Sequence, residues 1–105
     1  MENEIFSKPG VDFRKITEDM ANLYEKKNSD YGNSFSESFD EFGPIAGVVR
    51  ISDKFNRLKN LIKHDVAQKI LDESLGDTLI DMANYCIMLK MELDKIKDKE
   101  ASRIV

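Results

Sequence analysis

Glu73, Asp77, Asp81 and Asn84 follow one another at steps of four, four and three, so on a helix they form a single polar stripe. The stripe crosses an otherwise apolar window, Leu75 to Met91 (LGDTLIDMANYCIMLKM), in which Asp77, Asp81 and Lys90 alone carry charge. An ionised carboxylate taken out of water costs on the order of several kcal/mol unless a cation or hydrogen-bond donors compensate it. Two partners suit such a stripe. One is Mg2+, a hard ion that takes oxygen ligands and bridges carboxylates to phosphate oxygens. The other is an internal set of salt bridges from Arg50, Lys54 or Arg57, which share one face of an earlier segment with Asp53. Cations beside carboxylates also suit a polyphosphate, so the two partners are compatible.

Helices must position these groups. The set Phe13, Ile16, Met20, Leu23 and Tyr24 predicts a helix over 12–27 with Asp12 as N-cap. Residues 28–44 are rich in Asn, Ser, Asp and Gly but carry Tyr31, Phe35, Phe39 and Phe42. The pair Ser34 and Glu37 reads as a capping box, and the aromatics predict a short helix near 35–42 that Gly43 stops. Ile45, Val48, Val49, Ile51, Phe55, Leu58 and Ile62 predict a helix over 44–63 with these residues as its dry face. Its charged side carries Arg50, Asp53, Lys54, Arg57 and Asn60. A third long helix is expected over 66–97. The fold class is therefore all-α: a compact bundle of three main helices and one short one, with residues 1–11 as an arm, 12–97 as the single domain and 98–105 as a tail.

The remaining composition excludes more than it assigns. A net charge of -4 over 105 residues argues against duplex nucleic acid as a partner. One cysteine, Cys86, cannot form an intrachain disulfide, and its apolar neighbours predict a buried thiol. No apolar run is long enough for a membrane span, so a cytoplasmic location is expected. His64 has no second His or Cys nearby, and no phosphate-cradling glycine loop, zinc-ligand spacing or nucleophile elbow occurs. Tyr31, beside Gly32 in a polar setting, is the aromatic placed to stack on a base.

Three ordered blocks carry a resemblance: Lys27 to Phe35 (KNSDYGNSF), Arg50 to Leu58 (RISDKFNRL), and Asp72-Glu73-Ser74 through Asp77 to Tyr85 (DTLIDMANY). Together they resemble the nucleotide modification associated domain 1 family of small phage and bacterial proteins. A more distant similarity runs to all-α nucleotide pyrophosphatases of the MazG and dimeric dUTPase kind, which pair Glu-x-x-Glu with Glu-x-x-Asp on two helices. Here Asp53 with basic neighbours and the Glu73, Asp77, Asp81 ladder stand instead. The resemblance implies a Mg2+-dependent nucleotide hydrolase with Glu73, Asp77 and Asp81 as the catalytic carboxylates and Asp53 joining them as a metal ligand. Asn28, Asp30, Tyr31, Arg50, Lys54, Arg57, Asn84 and Tyr85 would bind the nucleotide. The alternative is a protein that sequesters a nucleotide or cyclic dinucleotide without cleaving it, and a third reading is a helical partner-binding module.

Cost sets the expected geometry. Asp77 and Asp81 should face Asp53, Lys54 and Arg57 across a helix pair, with Tyr31 and Asn28 closing the open end of the cleft. The last helix is apolar on more sides than so short a chain can cover, so a homodimer or higher oligomer is expected.

Overall fold

The computed structural model describes residues 8–29, 31–63 and 74–104, which form four helices: α1 (Pro9–Lys26), α2 (Gly32–Phe42), α3 (Ile45–Lys63) and α4 (Ser74–Ile104). No strand occurs among the described residues, as the class required. Residues 1–7, His64, the stretch 65–73 where the last helix was expected to begin, and the candidate site residues Asp30 and Glu73 lie outside the described residues. No helix searched is long and apolar enough to cross a membrane.

Helix boundaries depart from expectation for local reasons. Helix α1 starts at Pro9 rather than Asp12, with Lys8 as N-cap; its carbonyl accepts from the N–H groups of Val11 (2.9 Å) and Asp12 (3.1 Å). Proline loses nothing at that position, where its missing N–H would lack a partner anyway. Helix α2 begins at Gly32, so Ser34 and Glu37 lie inside it and form no capping box. The chain is already turning there: Tyr31 N–H donates to the Lys27 carbonyl (2.7 Å) and Asn33 N–H to that of Asn28 (2.9 Å). Gly43 ends α2 at a positive φ of 80°, which favours glycine, and Pro44 immediately precedes α3. Helix α4 runs to Ile104, so residues 98–104 are helix rather than tail.

The principal helix pair is α3 with α4, and α2 packs across it. A Cβ on Gly47 would meet Leu89 Cδ1 at 2.8 Å and Phe35 Cζ at 3.1 Å, so this glycine lets the three helices approach closely. The core there consists of Tyr31, Phe35 and Met88, with Tyr24, Tyr85 and Leu89 packed against it.

Helix α3 is rolled relative to expectation. Gly47, Arg50, Ile51, Lys54, Leu58 and Leu61 form its more buried side, whereas Ile45, Val48, Val49, Phe55 and Ile62 are between 47 and 58 % exposed. Of the seven residues expected on the dry face, Ile51 and Leu58 face inward and the other five look outward, because the small Gly47 allows a close approach to α4 and brings Arg50 and Lys54 inward with it. Cys86 is likewise exposed, not buried; it shares the uncovered side of α4 with Ile87.

One polar tie holds α2 to α4. Ser36 Oγ donates to Glu92 Oε1 at 2.6 Å, and Lys95 Nζ lies 3.0 Å from the same oxygen. Burial works to raise the Glu92 pKa, but the Ser36 hydroxyl and Lys95 outweigh it and hold the carboxyl below its usual range. A depressed carboxyl contributes stability above its unfolded pKa and loses it as pH falls through the folded value. Glu92→Gln should therefore cost about 1 kcal/mol at pH 7, and its deficit should shrink below pH ~4 as the parent's carboxyl protonates; urea melts across pH check this.

Candidate functional site

The site grows from the α3–α4 pair. Helical spacing places Arg50, Asp53, Lys54 and Arg57 along one flank of α3, and the roll of that helix turns the flank towards α4. Together with Tyr85 of α4 they line an open cavity of about 390 Å3.

Asp81 is its fixed point. Its Oδ1 accepts a hydrogen bond from the Tyr31 hydroxyl at 3.1 Å, and its Oδ2 lies 3.3 Å from Lys54 Nζ. The side chains of Lys54 and Asp81 are 28 and 35 % exposed, so water weakens the pair without replacing it. Burial pushes the Tyr31 hydroxyl well above the usual phenol range; the neighbouring Asn84 amide opposes the shift, while the Asp81 charge and hydrogen bond add to it. Tyr31 is therefore a hydrogen-bond donor at any physiological pH.

Each arginine is held separately. Arg57 Nε donates to Thr78 Oγ1 at 3.2 Å, and that hydroxyl donates in turn to the Ser74 carbonyl at 2.8 Å. The second bond aims the hydroxyl hydrogen away, leaving a lone pair for the guanidinium. Arg50 Nη2 donates to Ser38 Oγ at 3.1 Å, and its guanidinium lies 5.9 Å from the Phe35 ring centre and 5.8 Å from that of Tyr85. Three cations against the carboxylates of Asp53 and Asp81 leave one positive charge in excess. Such a cavity suits an anion with several oxygen acceptors.

The structure brings Arg50, Asp53, Lys54, Arg57 and Tyr85 to one cavity, and joins Tyr31 to it through Asp81. Two expected members stand elsewhere. Asp77 is exposed to water in the first turn of α4, so it needs no cation from α3. The buried line of α4 runs instead through Thr78, Asn84, Met88 and Glu92, with Asp81 half-buried beside it. Asn28 is exposed and its Nδ2 donates to Asn33 Oδ1 at 3.3 Å, so it does not close the cavity. Asn84 is buried and lines a separate groove against α1, its amide beside the Tyr31 hydroxyl. Thr78 and Ser38, which hold the arginines, were absent from the sequence reading, and Phe35 was read only as an aromatic of the short helix; Thr78, three residues before Asp81 and four after Ser74, was discernible from its spacing alone.

Of the four carboxylates expected to hold Mg2+, Asp53, Asp77 and Asp81 are described and Glu73 is not. Among the described residues no three His, Cys, Asp or Glu side chains are grouped to hold a metal ion. Asp81, the half-buried carboxylate, spends both oxygens on Lys54 and Tyr31.

The family model described as nucleotide modification associated domain 1 matches residues 27–93, a span that includes α2, α3 and every side chain lining the cationic cavity. No significant match to a curated protein or to a solved structure is found.

The Asp81 tie separates two kinds of substitution. Asp81→Asn keeps an acceptor for Tyr31 and should cost about 1 kcal/mol through loss of the Lys54 pair. Asp81→Leu strands the Tyr31 hydroxyl and the Lys54 ammonium together and should cost about 1–3 kcal/mol more. Denaturant melts of the two variants beside the parent measure the difference.

Proposed function

The chain belongs to the nucleotide modification associated domain 1 family, and from that membership we propose that it binds a nucleotide through its phosphates in the cationic cavity. The observation that carries this reading is the convergence of Arg50, Lys54 and Arg57 on one open cavity with an aromatic wall. Arginine forks match phosphate oxygens in pairs, and a guanidinium already positioned by Ser38 or Thr78 loses little freedom on binding. Lys54, shared with Asp81, adjusts the balance of charge as the anion enters. Binding without cleavage needs nothing more from the chain.

A Mg2+-dependent pyrophosphohydrolase acting on the same ligand is the second reading, favoured by Asp53, whose exposed carboxylate lines the cavity among the cations. The two readings separate on turnover. Nucleoside mono-, di- and triphosphates incubated with and without Mg2+, then chromatographed, should show binding by calorimetry and unchanged nucleotide; new products that require Mg2+ favour the hydrolase. Arg57→Ala, on an exposed side chain, should weaken nucleotide binding about tenfold while leaving the melting temperature nearly unchanged. A parent that binds no nucleotide overturns the reading.

We also propose that a second copy of the chain covers the outward apolar row of α3. The radius of gyration is 17.1 Å, against about 13 Å for a compact chain of this length. The row Ile45, Val48, Val49, Phe55 and Ile62 recurs at near-heptad spacing, the pattern of a helix with a helical partner. Its first turn borders a hollow of about 430 Å3 lined by Phe42, Ile45, Ala46 and Val49, which shares Arg50 and Asp53 with the cationic cavity. A copy seated there would add to the rim of the nucleotide site. Light scattering should report twice the monomer mass or more, and Val49→Glu should return the monomer.

A further inference from the structure

A second cavity, of about 280 Å3, lies between α1 and α4. Met20 and Tyr24 form its α1 wall, and Ile87, Met88, Met91 and Asn84 its α4 wall. Asn84 is 4 % exposed, and its Nδ2 is buried without a hydrogen-bond acceptor of suitable geometry. A primary amide carries two N–H groups, so even a full bond to the adjacent Tyr31 oxygen leaves one unmet. A buried donor left unmet is destabilising, and the chain has kept it on the wall of a cavity.

The surroundings restrict what can meet it. A trapped water needs two to four polar partners. The Thr17 hydroxyl at the same cavity shares its one hydrogen between the carbonyls of Phe13 and Arg14, and Glu25 is exposed. A water on Asn84 would leave the apolar walls of Met20, Ile87, Met88 and Met91 without a partner. Thioethers and a tyrosine ring favour a flat, polarisable ring, and the amide asks for an acceptor on that ring's edge. A heteroaromatic base meets both demands, since ring nitrogens and carbonyl oxygens on its edge accept from amides while its faces stack on aromatic and apolar side chains. The groove is also near the cationic cavity. The Tyr31 ring lies 6.5 Å from that of Tyr24, on the groove wall, and 5.4 Å from that of Tyr85, on the cavity wall.

We propose that this groove is a nucleobase subsite, in which the base lies between Met20 and Tyr24 on one side and Met88 and Met91 on the other, with an edge acceptor on Asn84 Nδ2. The proposal rests on the nucleotide reading of the cationic cavity and assigns the other end of that ligand.

Protein labelled at its methionine methyls, titrated separately with nucleosides and with tripolyphosphate, tests the two ends apart. Nucleosides should shift the Met20, Met88 and Met91 methyls saturably. Asn84→Leu should weaken that binding at least tenfold, and Ala21→Leu, which narrows the groove from an exposed position on α1, should do the same. Tripolyphosphate affinity should stay unchanged in both variants, and Ala21→Leu carries the test if Asn84→Leu unfolds. Tripolyphosphate binding with no response to any nucleoside overturns the base subsite and leaves the phosphate reading intact. Nucleoside binding without tripolyphosphate binding does the reverse. Methyl shifts that follow protein concentration rather than ligand make the groove a contact between copies and also overturn the proposal.

Discussion

The Asp81 carboxylate ties three parts of the chain at one point: it sits on α4, pairs with Lys54 of α3, and accepts from Tyr31 at the start of α2. A half-buried carboxylate must be compensated, and here the compensation comes from two different elements. The close packing at Gly47 brings Lys54 within reach of the carboxylate, and the same roll of α3 opens the cavity and directs the apolar residues Ile45, Val48, Val49, Phe55 and Ile62 outward. The carboxylate also holds Tyr31 where helix α2 begins. The geometry of the site thus joins one electrostatic tie at Asp81 to the close packing at Gly47.

Around that point the arginines are organised by neutral groups. Thr78 and Ser38 hold the guanidiniums by hydrogen bonds, and the Phe35 and Tyr85 rings lie beneath Arg50. Neutral supports orient a cation without cancelling its charge, whereas a carboxylate would do both. Lys54 is the contrasting case, since Asp81 spends part of its charge on an internal pair. The cavity therefore has two arginines with their charge uncancelled and one lysine that shares its own, and the difference follows from whether the facing helix offers a hydroxyl or a carboxylate.

Much of this was legible in the sequence. The all-α class, the helix breaks at Gly43 and Pro44, and the cluster of Arg50, Asp53, Lys54 and Arg57 follow from periodicity and turn chemistry, because both act over a few residues. The internal salt bridge weighed for Asp81 forms, with Lys54 as the partner. What failed was the rotation of helices about their own axes. The apolar row of α3 was read as the inward face, although the glycine that sets the closest approach lies off that row. Asp77 was placed with Asp81 because an i, i+4 pair shares a face, but each such step drifts by about 40° and the first turn of α4 is open to water. Cys86 was read as buried from its apolar neighbours, but it shares the exposed side of α4 with Ile87 while Tyr85 and Met88 turn inward. Hydrophobicity shows that a surface needs covering, not whether the same chain covers it.

Helix α4, with 31 residues, rises about 46 Å, far more than its 11- to 19-residue companions can accompany. From Lys95 to Arg103 its residues are exposed, and the charged pair there, Arg103 with Glu100 at 3.2 Å, is internal to the helix. Nine residues are too few to nucleate a helix in water, since an isolated one needs roughly 12–15. The overhang therefore borrows its nucleus from the anchored turns around Glu92 and survives by propagation alone, one hydrogen bond at a time. Order in such a segment declines towards Ile104 without a cooperative break, and that gradient stops short of Asp81 because the Ser36 to Glu92 tie lies between them. The bundle end of α4 is in this sense a seed crystal, and the overhang is the growth upon it.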